Sequence, residues 1–462
     1  MTERTRRSPD DVVRPARNEV LADAGEFRRW WSDRHHTGTF EVTRVPFADL
    51  EPWSFDPSTG NLSHASGRFF TIEGLQVETG GLAVRAQPVI NQPEIGLLGI
   101  VAKTLDGVPH CLMQAKMEPG NINTLQLSPT VQATRSNYTQ VHRGHRTRYL
   151  EHFLGADRGE VAVDVIQSEQ GSWYWRKRNR NMVVHVAGEV PVNDDYRWIP
   201  LPLVYDLLRV DNLVNMDART VLSCIPPSDT IAPHVREDDR DDDRALHGLG
   251  EILSWLIEAK TRCDWSTRLV PLRDVPGWRR TEDEIADPGG RHFRIIGVQV
   301  AAGNREVTTW RQPLLAPHGP GLAAFVLSRI NGVPHLLVQA RPEIGLLDMV
   351  EMGPTIQLLP GEDPSSVGHP LLKEIALGGL GRPLYDAMLS EEGGRFYHAM
   401  TRYQVIEVGE DFPVDVADNF RWVSMRQLMT LLRHGHYVNI EARTLLACAQ
   451  APRDRGDFHA GT

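Results

Sequence analysis

The chain has 462 residues, 41% hydrophobic and 24% charged, with a net charge of −10 at pH 7. That composition is globular, and the length exceeds one core and divides into two domains of roughly 200 residues. No apolar run approaches the ~18 residues of a membrane helix, the acidic surplus argues against nucleic acid as a partner, and residues 1–17 carry arginines with no apolar stretch behind them, a frayed tail and not a secretory signal.

From residue 18 the chain reads as a helix, then strands, then helices. The opening amphipathic helix carries Phe27, Trp30 and Trp31 at core spacing. Strands follow at Phe69 to Val77 and Ile100 to Leu105, the second turning through Asp106-Gly107 into His110 to Ala115; Asp-Gly between β-rich runs is a strong hairpin signal. A strand with Arg197-Trp198 leads into helices at Leu203 to Leu208 and Met216 to Cys224, which closes a first unit over 18–228. Residues 229–248, with Glu237-Asp238-Asp239-Arg240-Asp241-Asp242-Asp243, can bury no apolar area and form an exposed acidic linker. Over 249–455 the order returns: a helix with Ile252, Trp255, Leu256 and Ala259, strands at Phe293 to Val300 and Ala323 to Ile330, Asn331-Gly332, His335 to Ala340, Arg421-Trp422, and helices at Met425 to Leu432 and Ile440 to Cys448. The cysteines Cys111, Cys224, Cys263 and Cys448 show no zinc spacing and read as reduced thiols of a cytoplasmic protein.

The residues repeat as well as the elements. Gly107-Val108-Pro109-His110 recurs as Gly332-Val333-Pro334-His335, an offset of 225 from 107 to 332, and the same offset takes Trp53 to Trp278, Glu118 to Glu343 and Pro129-Thr130-Val131-Gln132 to Pro354-Thr355-Ile356-Gln357. Near the ends the offset is 224, taking Asn215 to Asn439 and Ala218-Arg219-Thr220 to Ala442-Arg443-Thr444. Such a period is a domain duplication of an α+β unit, far longer than a solenoid repeat.

The run Gln126 to Thr139, the paired Arg-Trp strands and the paired Asn-x-x-Ala-Arg-Thr helices resemble the NDP-hexose 2,3-dehydratase family of deoxysugar biosynthesis over essentially residues 20–450. The resemblance implies two tandem Nudix-like domains from an internal duplication, a homodimer, and dTDP-4-keto-6-deoxy-D-glucose as substrate. The Nudix likeness concerns fold alone, since the chain lacks the glutamate-rich box that would hold magnesium for diphosphate hydrolysis. In a 4-keto sugar a base can remove the C3 hydrogen as an enolate, and the C2 hydroxyl, β to the ketone, can then leave. No redox cofactor and no metal is expected for that step. The enol becomes a 3,4-diketo-2,6-dideoxy sugar, left for a downstream 3-ketoreductase. The protein must supply a base at C3, an acid at the C2 oxygen, donors at the C4 oxygen and a hold on the diphosphate.

Trp53 and Trp278 stand in Pro- or Gly-containing loops off any apolar face and suit stacking on thymine. Arg135, Ser136, Asn137, Tyr138 and Thr139 form a polar run fit for ligand contact. Ser172 and the segment Arg395-Phe396-Tyr397-His398 mix aromatic and hydrogen-bonding groups, with Arg395 and His398 set opposite Ser172 and Trp175. Arg341, matching Lys116, suits the diphosphate, and Gln357 a base edge or sugar hydroxyl. Tyr138 and His398 are the first candidates for the base, ahead of His142 and His145. Two copies imply two diverged pockets, one of them catalytic. A nucleotide-sugar-binding protein without catalysis is the alternative; it would lack polar groups in both pockets.

Overall fold

The computed structural model describes residues 15–16, 19–37, 39–134, 147–155, 158–226, 244–290, 293–303, 308–367, 370–409 and 411–451. Most of the acidic linker, and the run Arg135 to Thr139 with His142 and His145, lie outside them. Each half opens on a helix, Ala24–His36 or Leu249–Arg262, with Phe27 and Trp30 or Ile252 and Trp255 buried as their spacing predicts. The indoles of Trp30 and Trp255 donate to the carbonyls of Asp194 and Asp418, and the guanidiniums of Arg197 and Arg421 lie 5.6 and 5.8 Å from their rings. The paired Arg-Trp strands thus clamp the opening helix: the arginine covers it by a cation–π contact, while Trp198 and Trp422 point into the core.

Each half contains a seven-stranded mixed sheet. In the first half its order is Glu160–Ser168, Arg178–His185, Gly96–Leu105, Val108–Met117, Tyr196–Pro200, with Val131–Ala133 and Leu125–Ser128 pairing on the two central strands. Arg178–His185 runs parallel to Gly96–Leu105 and the other pairs are antiparallel. Strands 382–390, 400–407, 321–330, 333–342 and 420–424 repeat the order in the second half. Asp106, Gly107, Asn331 and Gly332 have φ of 50°, 79°, 54° and 79°, the two left-handed residues that a tight type I′ hairpin requires. In the Pro-Thr-x-Gln motif, the Thr130 and Thr355 hydroxyls donate to the carbonyls of Leu112 and Leu337 and accept the amides of Val101 and Val326 at 2.9 Å, stitching the central hairpin.

The halves interlock. Phe40–Val45 of the first half pairs with Phe293–Ala302, and Trp265–Val270 of the second pairs with Thr71–Thr79, so each five-stranded antiparallel sheet takes a strand from the other half. An offset shows which segments correspond but not which copy they pair in, and this exchange has no mark in the repeat. A second crossing is made by glycines. The Gly120 amide donates to Gly393 O and its carbonyl accepts from the His398 amide, both at 2.7 Å; Gly345 does the same with Gly171 and Arg176 at 2.7 and 2.6 Å. A Cβ on Gly120 or Gly345 would meet the carbonyl oxygen of Phe396 or Tyr174 at 1.7 Å, so nothing larger fits without moving the backbone.

Between the halves lie the helices Met216–Ser223 and Ile440–Ala449. Asn215 and Asn439 cap them by accepting the amides of Ala218 and Ala442 at 2.8 and 3.0 Å. Arg219 and Arg443 are wholly buried, and each spends its donors on both halves: Arg219 on Val214 O and Ser390 O at 2.6 and 2.7 Å, Arg443 on Val438 O at 2.7 Å, Thr220 Oγ1 at 3.0 Å and Ser168 O. The duplicated Asn-x-x-Ala-Arg-Thr motif is therefore a cap followed by a tie between halves. No described helix is long and apolar enough to cross a membrane.

Candidate active site

One cavity of about 960 Å³ opens over the first half's seven-stranded sheet. Gly96, Gln114, Lys116, Gln132 and Asn179 line it from that sheet, Asp217 from the interface helix, and Arg311, Gln312, Glu392 and Arg395 from the second half. Neither half alone makes this site.

Its aromatic end is built on Trp53, which opens the strand Trp53–Phe55. The sequence places this residue in a loop off any apolar face; instead it is 6% exposed, with Phe70 at 4.8 Å and its indole donating to Arg311 O at 2.9 Å. The Pro-rich approach hid a strand too short for periodicity to reveal. Arg395 lies 4.4 Å over the Phe70 ring and donates to Gln92 Oε1 at 3.2 Å. Arg34 and Arg148 add positive charge elsewhere on the wall, with Arg34 3.3 Å from Asp195.

The polar end starts from the helix cap. Asn215 Nδ2 donates to Gln132 Oε1 at 3.3 Å, Gln132 Nε2 donates to Glu118 Oε1 at 3.0 Å, and Lys116 Nζ sits 3.0 Å from the same oxygen. Asp217, two residues past the cap, is held well above the usual carboxylate range by burial and then by the neighbouring Glu392, Glu169 and Glu118. Burial, reinforced by Glu392, raises Glu169 to about 7 against the pull of Arg443, Lys177 and a 2.7 Å hydrogen bond from Asn179. Burial lowers Lys177, opposed by Glu169 and Glu392. Two carboxyls shifted toward their protonated forms thus stand near a buried lysine, a set of groups that acid–base chemistry can use. Among the described residues no group of three His, Cys, Asp or Glu side chains is placed to hold a metal.

The corresponding place in the second half is closed, about 10 Å³, lined by Gln170, Ser172, Trp173, Gln357 and Glu441 among others. Its polar chain is the same: Asn439 donates to Gln357 Oε1 and Glu343 Oε1 at 2.9 Å, and Arg341 lies 3.6 Å from Glu343. The expected site residues therefore separate. Trp53 and Arg395 line the open cavity, while Ser172 and Gln357 line the closed one. Phe396 is core, 4.6 Å from Trp173, and Trp278 packs on Phe293 at 4.9 Å away from both cavities. Tyr397 stacks at 4.0 Å on His398, which is exposed and lines neither cavity.

The register between the halves also differs from the sequence reading by one residue. Ser168 pairs with Arg178 and Ser390 with Met400, and Tyr174 bridges Ile90 as Phe396 bridges Leu315. Arg395 therefore answers to Trp173 and His398 to Arg176, not to Ser172 and Trp175. With that register, Ser168-Glu169-Gln170-Gly171 matches Ser390-Glu391-Glu392-Gly393 at an offset of 222 from 168 to 390, the signal that would have singled out Glu392 and Lys177.

A family model described as NDP-hexose 2,3-dehydratase matches residues 24–225 and again 249–449. The chain belongs to the NDP-hexose 2,3-dehydratase family. Two relatives named dTDP-4-dehydro-6-deoxy-alpha-D-glucopyranose 2,3-dehydratase, from Streptomyces violaceoruber and Saccharopolyspora spinosa, are each 50% identical, over 94% and 91% of this chain and 99% and 90% of their own lengths. A third of that name, from Amycolatopsis orientalis, is 47% identical over 93% of this chain and 91% of its own. Each matched stretch of the NDP-hexose 2,3-dehydratase pattern begins at an opening helix and ends at an interface helix, so the exchanged strand and the arginine tie fall inside both copies.

Proposed function

We propose that this chain removes the C2 hydroxyl of dTDP-4-keto-6-deoxy-D-glucose by 2,3-elimination, with the substrate in the open cavity of the first half. The observation that carries this reading is the joining, in one space of about 960 Å³, of an aromatic end, arginines and an acid–base end, which suits a nucleotide diphosphate sugar in volume and in chemistry. Thymine stacks beside Trp53 and Phe70, the diphosphate takes arginine donors, and the sugar meets the Glu118–Gln132–Asn215 chain and Lys177. Arg135, Ser136, Asn137, Tyr138 and Thr139 belong to the same reading as substrate contacts, supported by their neighbours Thr134 and Thr147 in the cavity wall. The two halves are Nudix-like units over 18–228 and 249–455, the protein is a cytoplasmic homodimer, and a 3-ketoreductase consumes the reactive 3,4-diketone. Incubation with dTDP-4-keto-6-deoxyglucose, the reductase and NADPH tests the function: a 2,6-dideoxy sugar supports it, and dTDP binding with the C2 hydroxyl retained supports a binding protein instead.

A further inference from the structure

The two halves build the same pocket frame, so the positions at which they differ separate what the frame needs from what the open cavity uses. Glu118, Gln132 and Asn215 are matched by Glu343, Gln357 and Asn439. Four neighbours are not matched in kind. Glu392 in the open cavity stands where the closed one has Gln170, and Arg395 where it has Trp173. Lys177 stands where the second half has Ala399. The fourth difference goes with the first: the Tyr174 hydroxyl donates to Glu392 Oε2, and the partner of Gln170 at that place is Phe396, which has no hydroxyl. Among the described residues, the Tyr174–Glu392 pair and a buried lysine therefore occur together beside the open cavity alone.

We propose that Glu392 is the base at C3 and Lys177 the cation at the C4 oxygen, with Asp217 the acid at the C2 oxygen; this rests on the substrate reading above. The C3–H bond breaks, its proton passes to the Glu392 carboxylate, and the electron pair forms an enolate whose oxygen is held by the Lys177 ammonium. That pair then makes the C2–C3 double bond as the C2–O bond breaks, and the oxygen leaves as water with the proton of Asp217. Finally the enol hydroxyl at C3 gives its proton to the Asp217 carboxylate while C2 takes the proton on Glu392, which restores both groups. No oxidant or reductant enters. Asp217 suits its part because it lines the cavity and because burial, then the neighbouring carboxylates, shift it toward its protonated form. Glu392 comes from the second half and the other two from the first, so the strand exchange and glycine crossings that join the halves also assemble the acid and the base.

The test uses wild-type protein and the variants E392Q, E392D, K177M and D217N in D2O with dTDP-4-keto-6-deoxyglucose. Product is followed by reductive trapping, deuterium at C3 of recovered substrate by mass spectrometry, and dTDP affinity and melting temperature for each variant. E392Q is expected to lower kcat by about 10²–10⁴-fold, to keep dTDP affinity and to abolish C3 deuteration, with partial rescue in E392D. K177M is expected to lower kcat by roughly 10²–10³-fold with dTDP affinity retained. D217N is expected to block loss of water while deuterium still enters C3. Near-wild-type turnover in E392Q or K177M, or C3 deuteration that survives E392Q, would overturn the assignment. If E392Q does not fold, E392D and K177M decide by the same readings. A wild-type protein that leaves the sugar unchanged contradicts the substrate reading itself, a separate failure.

Discussion

Trp53 and Trp278 occupy the same place in the two halves but not the same surroundings. Trp53 is packed and also lines the cavity, so Trp53→Ala is expected to lose on the order of 3–5 kcal/mol of stability and to weaken dTDP binding by about 1–3 kcal/mol. Trp278 is half-buried against Phe293, so Trp278→Ala is expected to leave dTDP affinity unchanged. Calorimetric titration beside thermal melts checks both; equal loss of affinity in the two variants would contradict the difference. Glu169 gives a pH signature. Its folded carboxyl, raised to about 7, holds a proton that the unfolded chain has already released above the ordinary range near 4.5. Its contribution is full below that range and is lost as pH rises toward neutrality, with a slope of at most about 1.4 kcal/mol per pH unit. Denaturant unfolding of Glu169→Gln from acid to neutral pH should flatten this limb relative to wild type. At this scale the sequence was only partly legible: aromatic and basic types marked Trp53 and Arg395, but Asp217, Glu118 and Lys177 look like ordinary surface charges until the fold buries them.

The elements were far more legible than their partners. The hairpins at Asp106-Gly107 and Asn331-Gly332, the Arg-Trp strands and the interface helices lie where pattern puts them, because turn chemistry and periodicity are local. The crossings were not legible, because pairing between copies is set by tertiary packing that an internal repeat leaves degenerate. Gly120 concentrates that information. With Phe396 O 1.7 Å from where a Cβ on Gly120 would sit, Gly120→Ala is expected to cost more than the roughly 1–3 kcal/mol of ordinary overpacking, whereas Gly188→Ala, with nothing within 4 Å, is expected to be near neutral. Thermal melts of the two variants compare them directly.

At the scale of the whole molecule, the cavity, the exchanged strands and the arginine ties make the halves one folding unit. Chains cut within 227–243 and co-expressed are expected to assemble and turn over, while either half alone should be insoluble or inactive; an active first half alone, read by the coupled reductase assay, would contradict this. Duplication was legible from the sequence, and so was the divergence of two pockets, but which one stayed open depended on side chains such as Trp173 and Arg395 taking equivalent places. The most direct measurement of that central claim is kcat for Asp217→Asn beside Glu441→Gln, the same helix position in the two halves, with dTDP-4-keto-6-deoxyglucose as substrate. The open-cavity account predicts that Asp217→Asn loses turnover by about 10²-fold or more while Glu441→Gln stays close to wild type. Turnover that survives Asp217→Asn and disappears in a folded Glu441→Gln would place the chemistry in the closed half and contradict it.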